Sequence, residues 1–579
     1  MPDPIRGAAV TARGTAGELP AASYPRRAGA LAEAGRGGLC QNRLMRHPAE
    51  VVGFALGMVA VIAVARGLAD RFRVPYAIVL TGCGLLYAVL PLPAVPLNPE
   101  IVLWLIIPPL LYAAALRSSL VAIRADWRPI GSLSIALVLL TAVAVGWFIF
   151  LVVPKITLAA GIVLGAAVAP PDPVASLSIG RRAGLPSRML TLIGAEGMLN
   201  DATALTLLEV AVAATIGGGF SVAVAVGQFL FAAVGGLLIG LAFGYLLRLA
   251  RPLLRDPVRA NVVSLATPFA AYLAGQSAHV SGVLCVIIAG LMAAHDSPRD
   301  ESGVSRLQTD AVWQFIEFVL EGVVFLLIGA QLPAVLRGIN AEPASLTASA
   351  IIVTLAGVLF VRPIWLFLTQ SVPRMLGWRL GHRAPPLTGR EVVALSWAGT
   401  RGVITLAAIF SVPLVVNSGR PFPDRDLLLL CAYIVVLVTL VGQGLTFGSL
   451  LRRLGLRADD AEDAQIRHEA RLAAIAAALR TVDDMQAGHE IPAGVADGMR
   501  ASLRRRADRH EKLHSLLADA DSDTGWTPQL EATVRAQHAI IDAQREELVR
   551  WRDGGRMSDD CLRTLQHELD HEESVLPGS

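Results

Sequence analysis

The sequence predicts an all-α polytopic membrane protein: about 13 transmembrane helices in inverted repeats with two discontinuous crossing helices, followed by a cytoplasmic helical tail. Two observations predict this. Of 579 residues, 54% are apolar and 17% charged, and the mean hydropathy is +0.56, too oily for a soluble domain with a solvated surface. From Val51 to Leu451 one unit recurs, an apolar run long enough to cross a bilayer and then a short turn with Arg, Pro or Gly.

Thirteen spans follow, at roughly 50–70, 75–92, 99–116, 130–151, 157–178, 190–216, 222–247, 260–275, 280–295, 312–333, 346–369, 391–416 and 426–450. A soluble helical core would need polar faces, and a span such as 222–247 has none. The expected organisation is an N-terminal arm over 1–48, a transmembrane domain over 49–453 and a helical tail over 454–579.

Arginine and lysine set the orientation. Loops after odd-numbered spans carry Arg71 and Arg73, Arg117, Arg124 and Arg128, Arg181, Arg182 and Arg188, and further arginines up to Arg452, Arg453 and Arg457. Loops after even-numbered spans hold Lys155, Arg337, Arg420 and Arg425. The bias places the odd loops and the tail in the cytoplasm of a plasma-membrane protein, and an odd helix count satisfies it. The arm disagrees, with seven arginines on what would be the outer side. Its Ala/Gly/Pro-rich composition reads as disordered and lacks the apolar core of a signal peptide. A translation start at Met45 is the expectation that removes most of the conflict.

The net charge of +3 conceals a division, because Ala458–Ser579 carries 25 acids against 15 bases. Segments 461–487, 493–518, 529–552 and 557–574 read as amphipathic helices. Arg500, Arg504, Arg505, Arg506 and Arg509 form a basic cluster that a solvated helix face explains better than a headgroup site. The five cysteines, Cys40, Cys83, Cys285, Cys431 and Cys561, have no disulfide or zinc spacing, so neither a redox nor a cofactor role is expected.

Charge inside a span costs at least ~2.5–3.5 kcal/mol near the centre, so each such residue calls for a reason. They are Asp172, Glu196, Asp201, Glu209, Glu317, Glu321, Arg362 and Arg401. Glu196 and Asp201 lie about 140° apart around one helix, with Asn200 immediately before the second acid. Acids beside an Asn and a nearby helix break suit a hydrated hard cation bound by oxygen.

Two spans are interrupted. Ala169-Pro170-Pro171-Asp172-Pro173 removes backbone donors, and Ala398-Gly399-Thr400-Arg401-Gly402 brackets a charge with glycine. With span 7 as a linker, these are the fifth spans of two six-span halves, the pattern of a secondary transporter built from inverted repeats. Asp172 is expected to cap a half-helix N-terminus and Arg401 to neutralise a C-terminal end, both structural. Arg362 is the partner available to Glu196.

Pro171-Asp172-Pro173-Val174-Ala175, and Glu196 through Asn200-Asp201-Ala202-Thr203-Ala204, resemble the paired motifs of the monovalent cation/proton antiporters, the NhaP/NHE-type sodium/proton exchangers in their bacterial form. Further matches are Leu110-Leu111-Tyr112 after Pro108-Pro109, Ser281-Gly282-Val283-Leu284, Phe325-Leu326-Leu327-Ile328-Gly329, Trp397 through Gly402, and Gln443-Gly444-Leu445-Thr446. The ending Leu569-Asp570-His571-Glu572-Glu573 is similar to the tail of bacterial members.

The resemblance implies a homodimer serving pH homeostasis, in which Asp201 binds cation and proton in turn, with Asn200, Glu196 and Pro171 beside it. Na⁺ would sit at Asp201, Glu196 and Asn200. The Asn-Asp pair is associated in the family with electroneutral exchange. Antiport follows if the core moves only when Asp201 is neutralised, because carrying a bare charge through the bilayer is penalised.

The chain also departs from the family pattern. Pro171 stands where Thr is usual and Gly197 where Ser is usual, which removes two hydroxyls. Ala113 and Gly275 replace usual acids, and Glu321 replaces a usual Asn. The expectation is therefore an electroneutral Na⁺/H⁺ antiporter with partners Na⁺ (or Li⁺ or K⁺), H⁺ and the lipid bilayer, without cofactor or nucleic acid. K⁺/H⁺ exchange and a non-transporting membrane sensor stay open as alternatives. No nucleophile–base pair or phosphate loop points to an enzyme.

Overall fold

The computed structural model describes residues 48–72, 74–90, 99–217, 222–250, 253, 256–300, 303–337, 343–371, 387–417, 419–456, 460–518, 528–553 and a few positions between 556 and 569. The expected arm with Met45, and the 570–573 part of the acidic ending, lie outside the described residues. Among the described residues the structure is helical, with one isolated antiparallel bridge between Val415 and Pro421.

The predicted spans fall on helices α1 (Pro48–Phe72), α2 (Tyr76–Val89), α3 (Pro99–Leu116), α4 (Trp127–Val152), the pair α5 (Leu158–Val168) and α6 (Pro173–Arg182), and α7 (Ser187–Gly217). They continue as α8 (Val222–Ala250), α9 (Pro257–Ser277), α10 (Gly282–Asp300), α11 (Gly303–Ala330), α12 (Ala344–Leu366), the pair α13 (Gly389–Trp397) and α14 (Val403–Phe410), and α15 (Arg425–Leu454). Eight helical runs among the described residues are long and apolar enough to cross a membrane. The tail supplies α16 (Asp460–Ala487), α17 (Ala493–Ala518) and α18 (Pro528–Asp553).

Local chemistry sets the ends. Thr157 Oγ1 accepts from Ala160 N at 3.2 Å to cap α5. Asp256 caps α9 with Pro257 in the first turn. Thr388 and Glu391 form a reciprocal capping box on α13.

The chain divides into two compact units, one through Ile179 and from Thr191 to Phe447, the other Gly180–Leu190 with Gly448 onward. In the first, α5 is the central helix, buried at every position from Ala159 to Val168, and Gly165 lets its backbone lie directly on Ala142 of α4. Helix α8 is the opposite case, since only 17% of its apolar window is buried. Its exposed Phe231, Leu238 and Tyr245 form the apolar outer surface that a bilayer-spanning bundle presents to lipid.

In the second unit, α16 and α17 form a hairpin that turns at His489, whose φ is +59°. Arg500 clasps it, donating from Nε to Asp483 Oδ1 at 2.8 Å, from Nη1 to Asp497 Oδ1 at 2.9 Å, and to Gln486. The hydrogen bond to Asp483 leads in raising the Arg500 guanidinium above its ordinary value. Arg504, Arg505 and Arg506 are exposed, as on a solvated face.

Candidate functional site

The two interrupted helices meet at their unwound midpoints. Helix α5 ends at Val168 and α6 restarts at Pro173, because the prolines between can neither donate nor continue the helix. Helix α13 ends at Trp397 and α14 restarts at Val403. Across the gap, Asp172 N donates to Thr400 O at 2.6 Å and Thr400 Oγ1 donates to Asp172 O at 2.8 Å. Ser176 Oγ donates to Ala398 O at 3.0 Å. Position 402 must be glycine in this packing, since a Cβ there would lie 1.6 Å from Asp172 Oδ2.

The charges at the crossing are tied to helix ends. Asp172 Oδ1 accepts from Val174 N at 2.9 Å, in the first turn of α6. Arg401 donates from Nε to Val168 O at 2.8 Å, from Nη2 to Ala169 O at 3.1 Å and from Nη1 to Gly399 O. The Val168 and Ala169 carbonyls end α5, where the last turn has no intrahelical donor, and the Gly399 carbonyl lies in the unwound stretch after α13. The Arg401 backbone N–H donates to Thr439 Oγ1 at 3.0 Å, at the start of a π-helical turn, Thr439–Gln443, inside α15.

Helix α7 carries the remaining groups to the same place. Glu196, Asn200 and Asp201 are 1%, 0% and 4% exposed. Both oxygens of Glu196 accept from the Arg362 guanidinium, Nη2 to Oε2 at 2.8 Å and Nη1 to Oε1 more closely, while Arg362 Nε donates to Leu395 O at 2.9 Å. Asn200 Nδ2 donates to Pro171 O at 3.0 Å, which joins α7 to the unwound stretch. Asn200 Oδ1 is buried and has no hydrogen-bond partner among the described residues. The neighbouring charge that Asp201 feels is another acid, Asp172.

Gly197 has a packing reason. A Cβ at 197 would stand 2.3 Å from Pro173 Cγ, so the helix can lie against the proline ring only without a side chain. The hydroxyl that the family resemblance places here is therefore excluded by the local contact.

Asp172, Glu196, Asn200, Asp201, Arg362, Arg401 and the Pro171 carbonyl thus gather at one crossing. Two other in-span acids have partners elsewhere: Glu317 is ion-paired with Arg117, and Glu209 engages the Gln276 side chain. Ser176 and Thr439 belong to the crossing but carry no signal in the sequence. Thr439 lies in an apolar run where only the π turn aims its hydroxyl at Arg401. Chemically, the arrangement offers a carboxylate, an amide oxygen and nearby backbone carbonyls. That donor set suits a hard cation or a proton.

The family model described as "Sodium/hydrogen exchanger, transmembrane" matches residues 57–453. An uncharacterised Na(+)/H(+) exchanger of Mycobacterium tuberculosis is 33% identical over 529 residues, covering 90% of this chain and 95% of the relative. A sodium, potassium, lithium and rubidium/H(+) antiporter of Bacillus subtilis is 30% identical, covering 89% and 76%. The solved sodium proton antiporter MjNhaP1 of Methanocaldococcus jannaschii superimposes with a TM-score of 0.55 at 15% identity, over 70% of this chain and 99% of that one, and shares its fold. With a helical bundle, two broken helices crossing beside a buried Asn-Asp pair, and a family match across most of its length, the chain belongs to the sodium/hydrogen exchanger family.

Proposed function

We propose that the protein is an electroneutral monovalent cation/proton antiporter, exchanging Na⁺ for H⁺ by alternating access with Asp201 as the group that binds each in turn. The observation that carries this is the orphaned Asn200 Oδ1 beside Asp201. A buried acceptor with no donor is costly, and it is relieved by a cation held between it and the carboxylate. Pro171 contributes its carbonyl, held in place by Asn200.

Glu196 takes a narrower role than that of a ligand. Its two oxygens serve Arg362, so the pair is a scaffold that fixes α7 against α12 and α13. Asp172 and Arg401 likewise fix the half-helices. Asp201 then carries the only exchangeable charge in this reading, one charge per ligand in either direction. The arginine-rich odd loops support a cytoplasmic tail in a plasma-membrane protein, and the family resemblance supports a homodimer.

A second cation is favoured by one observation. Pro171 and Gly197 leave the site without the usual hydroxyls, and relatives about 30% identical are named for sodium, potassium, lithium and rubidium. K⁺/H⁺ exchange is therefore the second reading.

Purified protein in proteoliposomes under an imposed pH gradient tests both. Na⁺-dependent dequenching of an internal pH dye, lost in Asp201→Asn, is the expected result. Larger responses to K⁺ than to Na⁺ select the second reading. The absence of flux with Na⁺, Li⁺ and K⁺ would leave the sensor alternative. Pro171→Thr, which returns a hydroxyl while keeping the backbone carbonyl, should raise the Na⁺ response relative to K⁺.

A further inference from the structure

The hairpin of the tail takes one arginine out of the basic cluster and gives most of the others a common direction. Arg500 is held in the clasp with Asp483, Asp497 and Gln486. Ala496 is buried, and Arg500, Leu503 and Ala507 partly so, along the face of α17 that meets α16. Asp497, Arg504, Asp508 and Glu511 are exposed on one flank of that face. Val495, Met499, Ser502, Arg505, Arg506 and Arg509 share a sector of about 120° on the other side of the helix, and no acid falls within it over 493–511. All six are exposed, Val495 at 46% and Met499 at 47%.

Exposure alone fits a solvated face, but a solvated face mixes both signs of charge, as the rest of this acid-rich tail does. Arg545 pairs with Asp542, and Arg550 with Glu546 and Glu547. Among the described residues, Arg505, Arg506 and Arg509 enter no ion pair. Three unpaired guanidiniums beside two exposed apolar side chains complement an anionic surface with an apolar layer behind it. The sector runs about 20 Å along the axis from Val495 to Arg509. As the outer side of one helix it is convex, so it fits an extended charged plane better than a single small anion. A second copy of the same face would set arginine against arginine.

We propose that this face of α17 docks on anionic phospholipid headgroups of the cytoplasmic leaflet, with Arg505, Arg506 and Arg509 at the phosphates and Val495 and Met499 at the acyl boundary. The leaflet follows from the orientation that the arginine-rich loops support. Docking in this way turns Asp497, Asp508 and Glu511 away from the lipid, so their charge does not oppose it. The contact is open to solvent and therefore weakens as salt rises.

The test measures amide hydrogen exchange over residues 493–509 in full-length protein, in nanodiscs of phosphatidylcholine and in nanodiscs of phosphatidylcholine mixed with phosphatidylglycerol. At low salt the wild type should exchange about tenfold more slowly in the anionic discs than in the neutral ones. High salt should abolish the difference. The triple variant Arg505→Gln, Arg506→Gln, Arg509→Gln should lose it. Lysine at the same three positions should keep most of it, which separates lost charge from a disturbed helix. Arg480→Gln, which removes an exposed arginine of α16, should keep it in full.

Equal exchange in the two kinds of disc overturns the proposal, and so does a lipid effect that survives in the glutamine variant. Equal protection in neutral discs on addition of inorganic phosphate assigns the face to a free anion and overturns its assignment to the membrane. Protection that follows protein concentration and ignores the lipid assigns it to a second copy, with the same consequence. No ion flux enters the readout, so the exchange reading stands or falls separately.

Discussion

Glu196 and Asp201 ride on the same helix, five residues apart and almost equally buried, yet their surroundings treat them in opposite ways. Both carboxylate oxygens of Glu196 are matched by Arg362, which is itself fastened to Leu395 O. Asp201 sits beside an orphaned amide oxygen and another acid. Burial alone therefore does not distinguish the two acids; the state of their partners does, and on the proposed scheme that difference separates a scaffold charge from a working one. A satisfied buried pair resists change, whereas an unsatisfied acid has a place for something that comes and goes.

The largest expected effect tests the working half of this comparison. Asp201→Asn should reduce cation-dependent proton flux to the level of empty liposomes while the melting temperature in detergent stays near that of wild type. Retained flux would break the assignment. The scaffold half predicts the reverse pattern. Arg362→Met should destabilise the protein by about 3–5 kcal/mol, because it leaves Glu196 buried and uncompensated. Adding Glu196→Leu to that variant should recover much of the loss, since neither side then holds an unpaired charge. A melting temperature unchanged by Arg362→Met would show that the pair does not hold the bundle.

Gly197→Ser comes next. It pushes a Cβ into the Pro173 ring and should cost roughly 1–3 kcal/mol, with lower yield of folded protein, before any effect on ion preference can be read. A fully stable Gly197→Ser protein would mean that α7 and α6 separate more easily than their contact suggests. The smallest effect is expected from Thr439→Val, which removes one acceptor from the Arg401 backbone N–H and should cost about 0.5–1.5 kcal/mol by thermal melting.

Much of the architecture is legible in the sequence because the bilayer imposes a simple code. Apolar runs mark spans, and prolines 170, 171 and 173 or glycines 399 and 402 mark where two of them stop. Charge is so rare in the spans that a few residues stand out, Asp201 and Arg362 among them. What is not legible is orientation at the scale of one bond. Nothing in the sequence says that Asn200 turns its Nδ2 to Pro171 O and leaves Oδ1 bare, or that a π turn aims Thr439 at the backbone of residue 401. The Gly197 contact is hidden for the same reason. Its lack of a side chain looks like a missing ligand in one dimension and is a packing requirement in three.

The mutual hydrogen bonds of Asp172 and Thr400 also have a mechanical meaning. They bolt four half-helices together at one pivot, so none of them can slide or swivel without carrying the others. Any shape change in a transport cycle must then be absorbed around the edge of this pivot, and its centre should travel as one rigid piece. A short crosslink between the two unwound strands should consequently leave transport intact.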